Sequence, residues 1–258
     1  MVIVAIVQAR MGSTRLPGKV LKPIMGKPML WYLVQRIKQT EHVDKVVIAT
    51  SEEKNNDVIR DFCKQYSIDC FSGSEEDVLD RFYRAAKQFD ADVVIRITGD
   101  CPLLDPGLIG GMLDEFISGN KYDYYSVACG AGVSTKEFNG HRYPDGLDAE
   151  IFKFSILEEA WNEAKEKLER EHVTPFIWRK KERFRLGTKK SQNDYSLMRW
   201  TVDNQEDFEV VEEIYKELYP KKPNFGLEDI LEFFNSHSEL QDKNKHFIGD
   251  EGYDNFFK

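Results

Sequence analysis

The chain has 258 residues, of which 41% are hydrophobic and 31% charged, with a formal net charge of −9. This length and balance describe an ordinary globular protein able to bury a sizeable core in one large α/β domain. The acidic charge argues against nucleic acid as a general partner, no apolar run reaches the length of a membrane span, and Cys63, Cys70, Cys101 and Cys129 show neither a CxxC pair nor metal spacing. Reduced thiols and the absence of a basic lead-in with a cleavage site lead to the expectation of a cytoplasmic protein.

Val2–Val7 is a β-branched apolar run that suits a strand buried on both faces. It leads through Gln8, Ala9 and Arg10 into a loop containing Gly12, Ser13, Thr14, Arg15, Gly18 and Lys19. Glycines permit close backbone approach, and the cations suit phosphate oxygens. The loop is not a Walker A motif, because five residues separate Gly12 from Gly18 and Val20 follows Lys19; GxGxxG is absent too. A solvated turn with surface cations is the competing reading. Against it, Arg10, Arg15, Lys19, Lys22, Lys27, Arg36 and Lys38 all precede the first acidic residue, Glu41. A positive segment in an acidic chain points to an anionic ligand.

Pro28 opens a helix carrying Met29, Leu30, Leu33, Val34 and Ile37 at helical spacing. Lys45–Thr50 reads as a second buried strand, 54–66 as a helix with Val58, Ile59 and Phe62 inward, and Ile68–Phe71 as a third strand. Ser74–Asp77 resembles a capping box before a helix, and Asp92–Thr98 is a fourth strand. This alternation predicts a mostly parallel, twisted sheet with helices on both faces, its ligand over the strand carboxyl ends near Arg10, Ser51 and Asp100.

Further on, 106–118 reads as a helix, 123–128 as a strand and Gly130–Gly146 as a long functional or disordered loop. Leu147–Phe152 alternates like a half-exposed strand with Asp148 and Glu150 on one face, and Ser155–Glu169 reads as one amphipathic helix. Thr174-Pro175 begins another helix, Leu197–Val202 reads as a strand, and helices follow over 205–218 and 227–235. Residues 1–236 are expected to form the single domain. Residues 237–258, with Phe247, Phe256 and Phe257, are expected to be a tail that docks elsewhere, a second subunit included.

Asp100 and Asp203 each follow an apolar run. A carboxylate there either binds a hard cation that neutralises a triphosphate or serves as a turn and cap residue. Asp207 reads as a first-turn helix stabiliser. Arg81 either supports a nucleotide or pairs with Asp77 four residues earlier, and His172 is either structural or a substrate contact.

The run AIVQARMGSTRLPGKVL resembles the opening signature of the CTP-dependent sugar cytidylyltransferases, which include the acylneuraminate and Kdo enzymes. The likeness is greatest to the branch named for spore-coat polysaccharide biosynthesis and covers roughly residues 1–215. It implies a Rossmann-like nucleotidyltransferase fold with a small acceptor-side excursion, and transfer of CMP from CTP to a sugar or sugar acid for surface polysaccharide. RITGDCPL is similar to the family segment whose aspartate holds Mg²⁺, so Asp100 and, by the same likeness, Asp203 are the implied metal ligands. Arg10, Arg15 and Lys19 would complete the catalytic set. Gln8, Ala9, Gly12, Ser13, Thr14, Thr50, Ser51, Ser74, Asp77 and Arg81 would contact the nucleotide. Arg142, Asp145, Asp148, Glu150, Glu171 and His172 would contact the acceptor, and a homodimer is implied. The rival readings are a metal-dependent glycosyltransferase and a nucleotide-binding module without turnover.

Overall fold

The computed structural model describes residues 1–129 and 141–248, so most of the predicted glycine-rich loop and the pair Phe256 and Phe257 lie outside the described residues. The strands are β1 (Ile3–Gln8), β2 (Pro23–Ile24), β3 (Lys27–Pro28), β4 (Lys45–Ser51), β5 (Asp69–Gly73), β6 (Val93–Thr98), β7 (Tyr124–Val127), β8 (Glu150–Lys153) and β9 (Leu186–Lys189). The helices are α1 (Met29–Ile37), α2 (Asp57–Tyr66), α3 (Val78–Gln88), α4 (Pro106–Ile117), α5 (Phe154–Glu163), α6 (Lys167–His172), α7 (Pro175–Trp178), α8 (Gln205–Leu218), α9 (Leu227–Ser236) and α10 (Ser238–Asp242). Strands β2 and β3 form a minimal hairpin. The other seven make one sheet in the order β5-β4-β1-β6-β8-β7-β9. Its pairings are parallel except those of β8, which runs against both neighbours.

Alternation along β1 explains the layering. Ile3, Ala5 and Val7 pack on one side with Leu33 and Ile37 of α1, Ile59 and Phe62 of α2 and Met112 of α4. Val4 and Ile6 pack on the other with Leu79 and Phe82 of α3, Leu157 of α5 and Ile177 of α7. Each fully buried aliphatic side chain contributes about 2 kcal/mol, so a strand apolar at every position is stable only between two helical layers. A third core joins Phe208, Ile214, Ile230 and Phe233 of α8 and α9 to Leu16, Ile24, Leu147 and Trp200. It ties the loop after β1 to the C-terminal third of the chain.

Several expectations are corrected. Val58 is 47% exposed; Ile59, Phe62 and Cys63 carry the inner face of α2. The predicted helix 155–169 is two, α5 and α6, separated at Ala164, whose backbone is extended. Strand β8 starts at Glu150 and is buried rather than half-exposed, leaving Asp148 outside it. Leu197–Val202 is no sheet strand: its one bridge pairs Arg199 with Asp145, and Leu197 is 73% exposed. Strand β9 was not anticipated. Asp77, not Ser74, caps α3, accepting from the Asp80 amide at 3.0 Å, while Ser74 Oγ accepts from the Asp77 amide at 3.0 Å. Beyond His237 the chain packs on itself: Leu240 joins the third core, and Asn244, 2% exposed, donates to the Arg199 carbonyl and to Asp207.

The order β5-β4-β1-β6 places consecutive windings on opposite sides of β1. At that reversal the connections after β1 and β6 diverge and leave a crevice over the strand carboxyl ends.

Candidate active site

A cleft of about 420 Å³ opens at this reversal. Gln8, Ala9 and Arg10 reach it from the end of β1, and Thr98, Gly99 and Asp100 from the end of β6. Space there is tight, since a Cβ on Gly99 would lie 2.9 Å from the Gln8 carbonyl. The loop after β1 closes on itself through the Gly18 amide and the Met11 carbonyl, 3.3 Å apart. Gly18 has φ 69°, a left-handed turn that glycine accepts without strain and that delivers Lys19 into the cleft. Gly12, Ser13, Thr14 and Arg15 line the same cleft, with Ser13 Oγ also accepting from the Leu16 amide.

Lys19 organises the centre. Its Nζ lies 3.0 Å from Asp100 Oδ2 and 2.6 Å from Asp203 Oδ1, and Arg15 Nη2 lies 3.2 Å from that Asp203 oxygen. Burial alone would lower the Lys19 pKa, but the two carboxylates outweigh it and hold it above the ordinary lysine value. Asp100 is held below its ordinary value: burial opposes ionisation, and Lys19 and a hydrogen bond with Thr98 overcome it.

Asp203 arrives by a route other than the predicted strand. An extended ribbon runs beside Asp145 and Asp100, the Trp200 amide donating to the Asp145 carbonyl at 2.6 Å and the Val202 amide to the Asp100 carbonyl at 2.8 Å. Arg199, 3% exposed, then holds three carboxylates: Asp145 at 3.0 Å, Asp203 at 3.1 Å and Asp207 at 3.0 Å. Asp207 also caps α8, as anticipated, in a box with Asn204. Arg199 was missed. Its signal was a cation inside an apolar run, four and eight residues before aspartates.

The nucleotide set divides. Ser51 accepts from Asn56 Nδ2 at 2.7 Å. Asp77 does not line the cleft: its carboxylate takes a bidentate pair from Arg170 at 2.6 and 3.0 Å, which ties α6 to α3. Arg81 does not pair with Asp77 but donates to the Ser74 carbonyl at 2.7 Å; burial pushes its pKa down to about 10. Gln8 Oε1, Thr50 Oγ1 and Arg81 Nε are buried with no protein hydrogen-bond partner among the described residues. Glu75, also unanticipated, lines the cleft and pairs with Arg10 at 2.9 Å.

Of the acceptor set, Glu171 and His172 line the cleft with Lys167. The other four do not. Arg142 faces Asp194 at 4.0 Å, and Asp145 is bound to Arg199. Asp148 accepts from the Gly146 amide at 2.8 Å and contacts the Cys129 thiol. Glu150 forms a buried cluster with Arg96, Tyr124 and Thr174. Burial, reinforced by Asp148, pushes the Asp145 pKa up to about 8.

Among the described residues no three His, Cys, Asp or Glu side chains form a metal-binding group. Asp100 and Asp203 nevertheless both reach one cationic centre, the Lys19 ammonium. Two converging carboxylates are hard oxygen donors that fit Mg²⁺ when triphosphate oxygens and water complete its shell.

Sheet order and cleft define a Rossmann-like nucleotidyltransferase fold. The chain belongs to the cytidylyltransferase family, whose model matches residues 4–247. It is 35% identical to an uncharacterized protein of Methanocaldococcus jannaschii over 95% of both chains. With the spore coat polysaccharide biosynthesis protein SpsF of Bacillus subtilis it shares 32% identity, over 90% of this chain and 94% of that one. A cytidylyltransferase structure from Leptospira borgpetersenii superposes with a TM-score of 0.84 at 29% identity, covering 93% of this chain and 97% of that one.

Proposed function

We propose that the protein transfers CMP from CTP to a hydroxyl of a small sugar or sugar acid, releasing pyrophosphate, with Asp100 and Asp203 holding Mg²⁺. The observation that carries this reading is the convergence of Arg15, Lys19, Asp100 and Asp203 at the mouth of the sheet reversal. Nucleotidyl transfer needs positioning and charge stabilisation around an in-line displacement at phosphorus, and this group supplies both. Arg10, Arg15 and Lys19 take the triphosphate charge, and backbone N–H groups from Gly12 to Thr14 add fixed dipoles. Bound Mg²⁺ supplies further neutralisation of phosphate charge.

Two of the unpartnered polar atoms belong to residues that line the cleft and support a pyrimidine with an exocyclic amine. Gln8 Oε1 is an acceptor suited to that amine, and Arg81 Nε is a donor suited to the ring carbonyl. The kinship with SpsF supports a product destined for surface polysaccharide.

The test incubates the protein and Mg²⁺ with CTP, UTP, ATP or GTP against a panel of sugars and sugar acids, 3-deoxy-manno-octulosonate among them, and measures pyrophosphate. Release confined to CTP and dependent on an acceptor is expected. Release of a nucleoside diphosphate from a nucleotide sugar, with none of pyrophosphate, would overturn it.

A further inference from the structure

His172 is the last residue of α6 and lines the cleft that holds Asp100 and Lys19. The backbone beside it is strained. Val173 has φ 72° and ψ −56°, and the Thr174 amide donates to the His172 carbonyl at 2.8 Å. That is a γ-turn of the rare positive-φ kind, centred on a β-branched residue that strongly disfavours it.

Anchors on both sides impose this turn. Before it, Arg170 is clamped to Asp77 and donates to the Trp161 carbonyl at 2.8 Å. After it, Val173 is fully buried in the core under α3, and Thr174 Oγ1 donates to Glu150 at 2.7 Å, itself fixed by Arg96 and Tyr124. Strain sustained by such a surrounding points to a fixed side-chain position. The side chain so fixed is His172.

Among the carboxylates that line the cleft, Asp100 and Asp203 are engaged with Lys19 and Glu75 with Arg10, while Glu76 stands on the turn just before α3. On the α6 wall stand Lys167, Glu171 and His172, and of these the imidazole is the group suited to exchanging a proton near neutrality. Resting on the transfer reading above, the geometry points to His172 as a catalytic residue, the general base for the acceptor hydroxyl. The hydroxyl oxygen forms its bond to the α-phosphorus and its proton passes to an imidazole nitrogen. The bond from the α-phosphorus to the bridging oxygen breaks, and that electron pair leaves with pyrophosphate. The imidazolium then returns its proton to water. Burial keeps the imidazole below its ordinary pKa, with Glu171 opposing, Arg96 assisting and Glu150 opposing, so it is neutral at pH 7.

The experiment measures pyrophosphate release from CTP and Mg²⁺ with the same acceptor panel, and with water alone, for wild type, His172→Gln, His172→Ala and Glu171→Gln. Thermal melting and CTP calorimetry report folding and nucleotide binding. We expect His172→Gln to lower kcat about a hundredfold or more with CTP affinity kept. The acid limb of the wild-type kcat profile should vanish in that variant, and added imidazole should restore part of the rate to His172→Ala. Undiminished kcat in His172→Gln, a loss confined to acceptor KM, or a loss found in Glu171→Gln instead overturns the base role alone. No release by wild type overturns the transfer reading, and the base role with it.

Discussion

Arg199 and Asp203 stand four residues apart on a segment that is not helical, yet their side chains pair at 3.1 Å. The pairing uses Oδ2 of Asp203, which leaves Oδ1 for Lys19 and Arg15. One carboxylate therefore joins a structural cation to the cations of the cleft. Arg199→Met leaves Asp145, Asp203 and Asp207 without that charge, and removing one partner from a buried ionic cluster costs about 3–5 kcal/mol. We expect a large fall in melting temperature that Arg199→Lys does not repair, because a single ammonium lacks the planar fork serving three partners. Thermal denaturation of both variants checks this.

Lys19 occupies the point where Asp100 and Asp203 converge. Lys19→Met should abolish most turnover and leave two carboxylates facing each other across the position its ammonium held. Without nucleotide, Mg²⁺ should then raise the melting temperature of Lys19→Met more than that of wild type. An equal response in the two proteins would count against a shared cation position.

Arg15→Ala and Lys22→Ala separate the phosphate loop from its flank. Arg15 lines the cleft, whereas the Lys22 ammonium sits 4.8 Å above the Phe208 ring. Loss of a charge-assisted contact to phosphate is worth about 2 kcal/mol, roughly thirtyfold in rate. That loss is expected for Arg15→Ala, with Lys22→Ala close to wild type, in steady-state kinetics with CTP.

Asp77→Asn tests whether this residue acts on the nucleotide or on α6. Weakening its bidentate pair with Arg170 should loosen α6, lowering kcat and raising acceptor KM while CTP affinity stays unchanged by calorimetry. Weakened CTP binding would restore the direct nucleotide role.

Asp123 carries a pH dependence. Hydrogen bonds from Arg185 and, after the opposing effect of burial, from Lys153 hold its carboxyl well below the usual carboxylate range. Its stabilisation is therefore complete above the unfolded-state value of about 3.9 and is lost as pH falls toward the folded-state value. Asp123→Asn should cost about 2 kcal/mol at pH 7 and clearly less at about pH 3, below the unfolded-state value. Denaturant titrations at both pH values decide it.

Strands β1, β4 and β6 were legible because burial on both faces writes itself as an unbroken apolar run. Strand β9, Leu186–Lys189, lies at the sheet edge with every residue only half-buried, so it carries no such run. Leu197–Val202 looked like a strand because Trp200 and Val202 are apolar, but they answer to the core beside α8 and α9, not to a sheet. The split between α5 and α6 falls at extended Ala164, and α6 restarts on a capping box of Glu166 and Glu169, while the Arg170–Asp77 pair, 93 positions apart, fixes where α6 packs. At the cleft the lining contributed by the loop after β1 was readable, being contiguous. Arg199, Glu75 and Lys167 acquire their places only through tertiary structure, and Asp148 and Glu150 looked like ligands because their partners, Cys129 and Arg96, are distant in sequence.

The reversed direction of β8 has an evolutionary consequence. Because it runs against its neighbours, its first residue rather than its last lies toward the carboxyl edge where the cleft opens. Changes in chain length just before β8 are thus felt beside the chemistry, while changes just after Lys153 fall at the opposite rim. The parallel strands follow the contrary rule. A lineage can vary the connection into β8 while the loop after β1 keeps its own closure between Met11 and Gly18. Length variation on the two sides of β8 is then felt at opposite edges of the sheet.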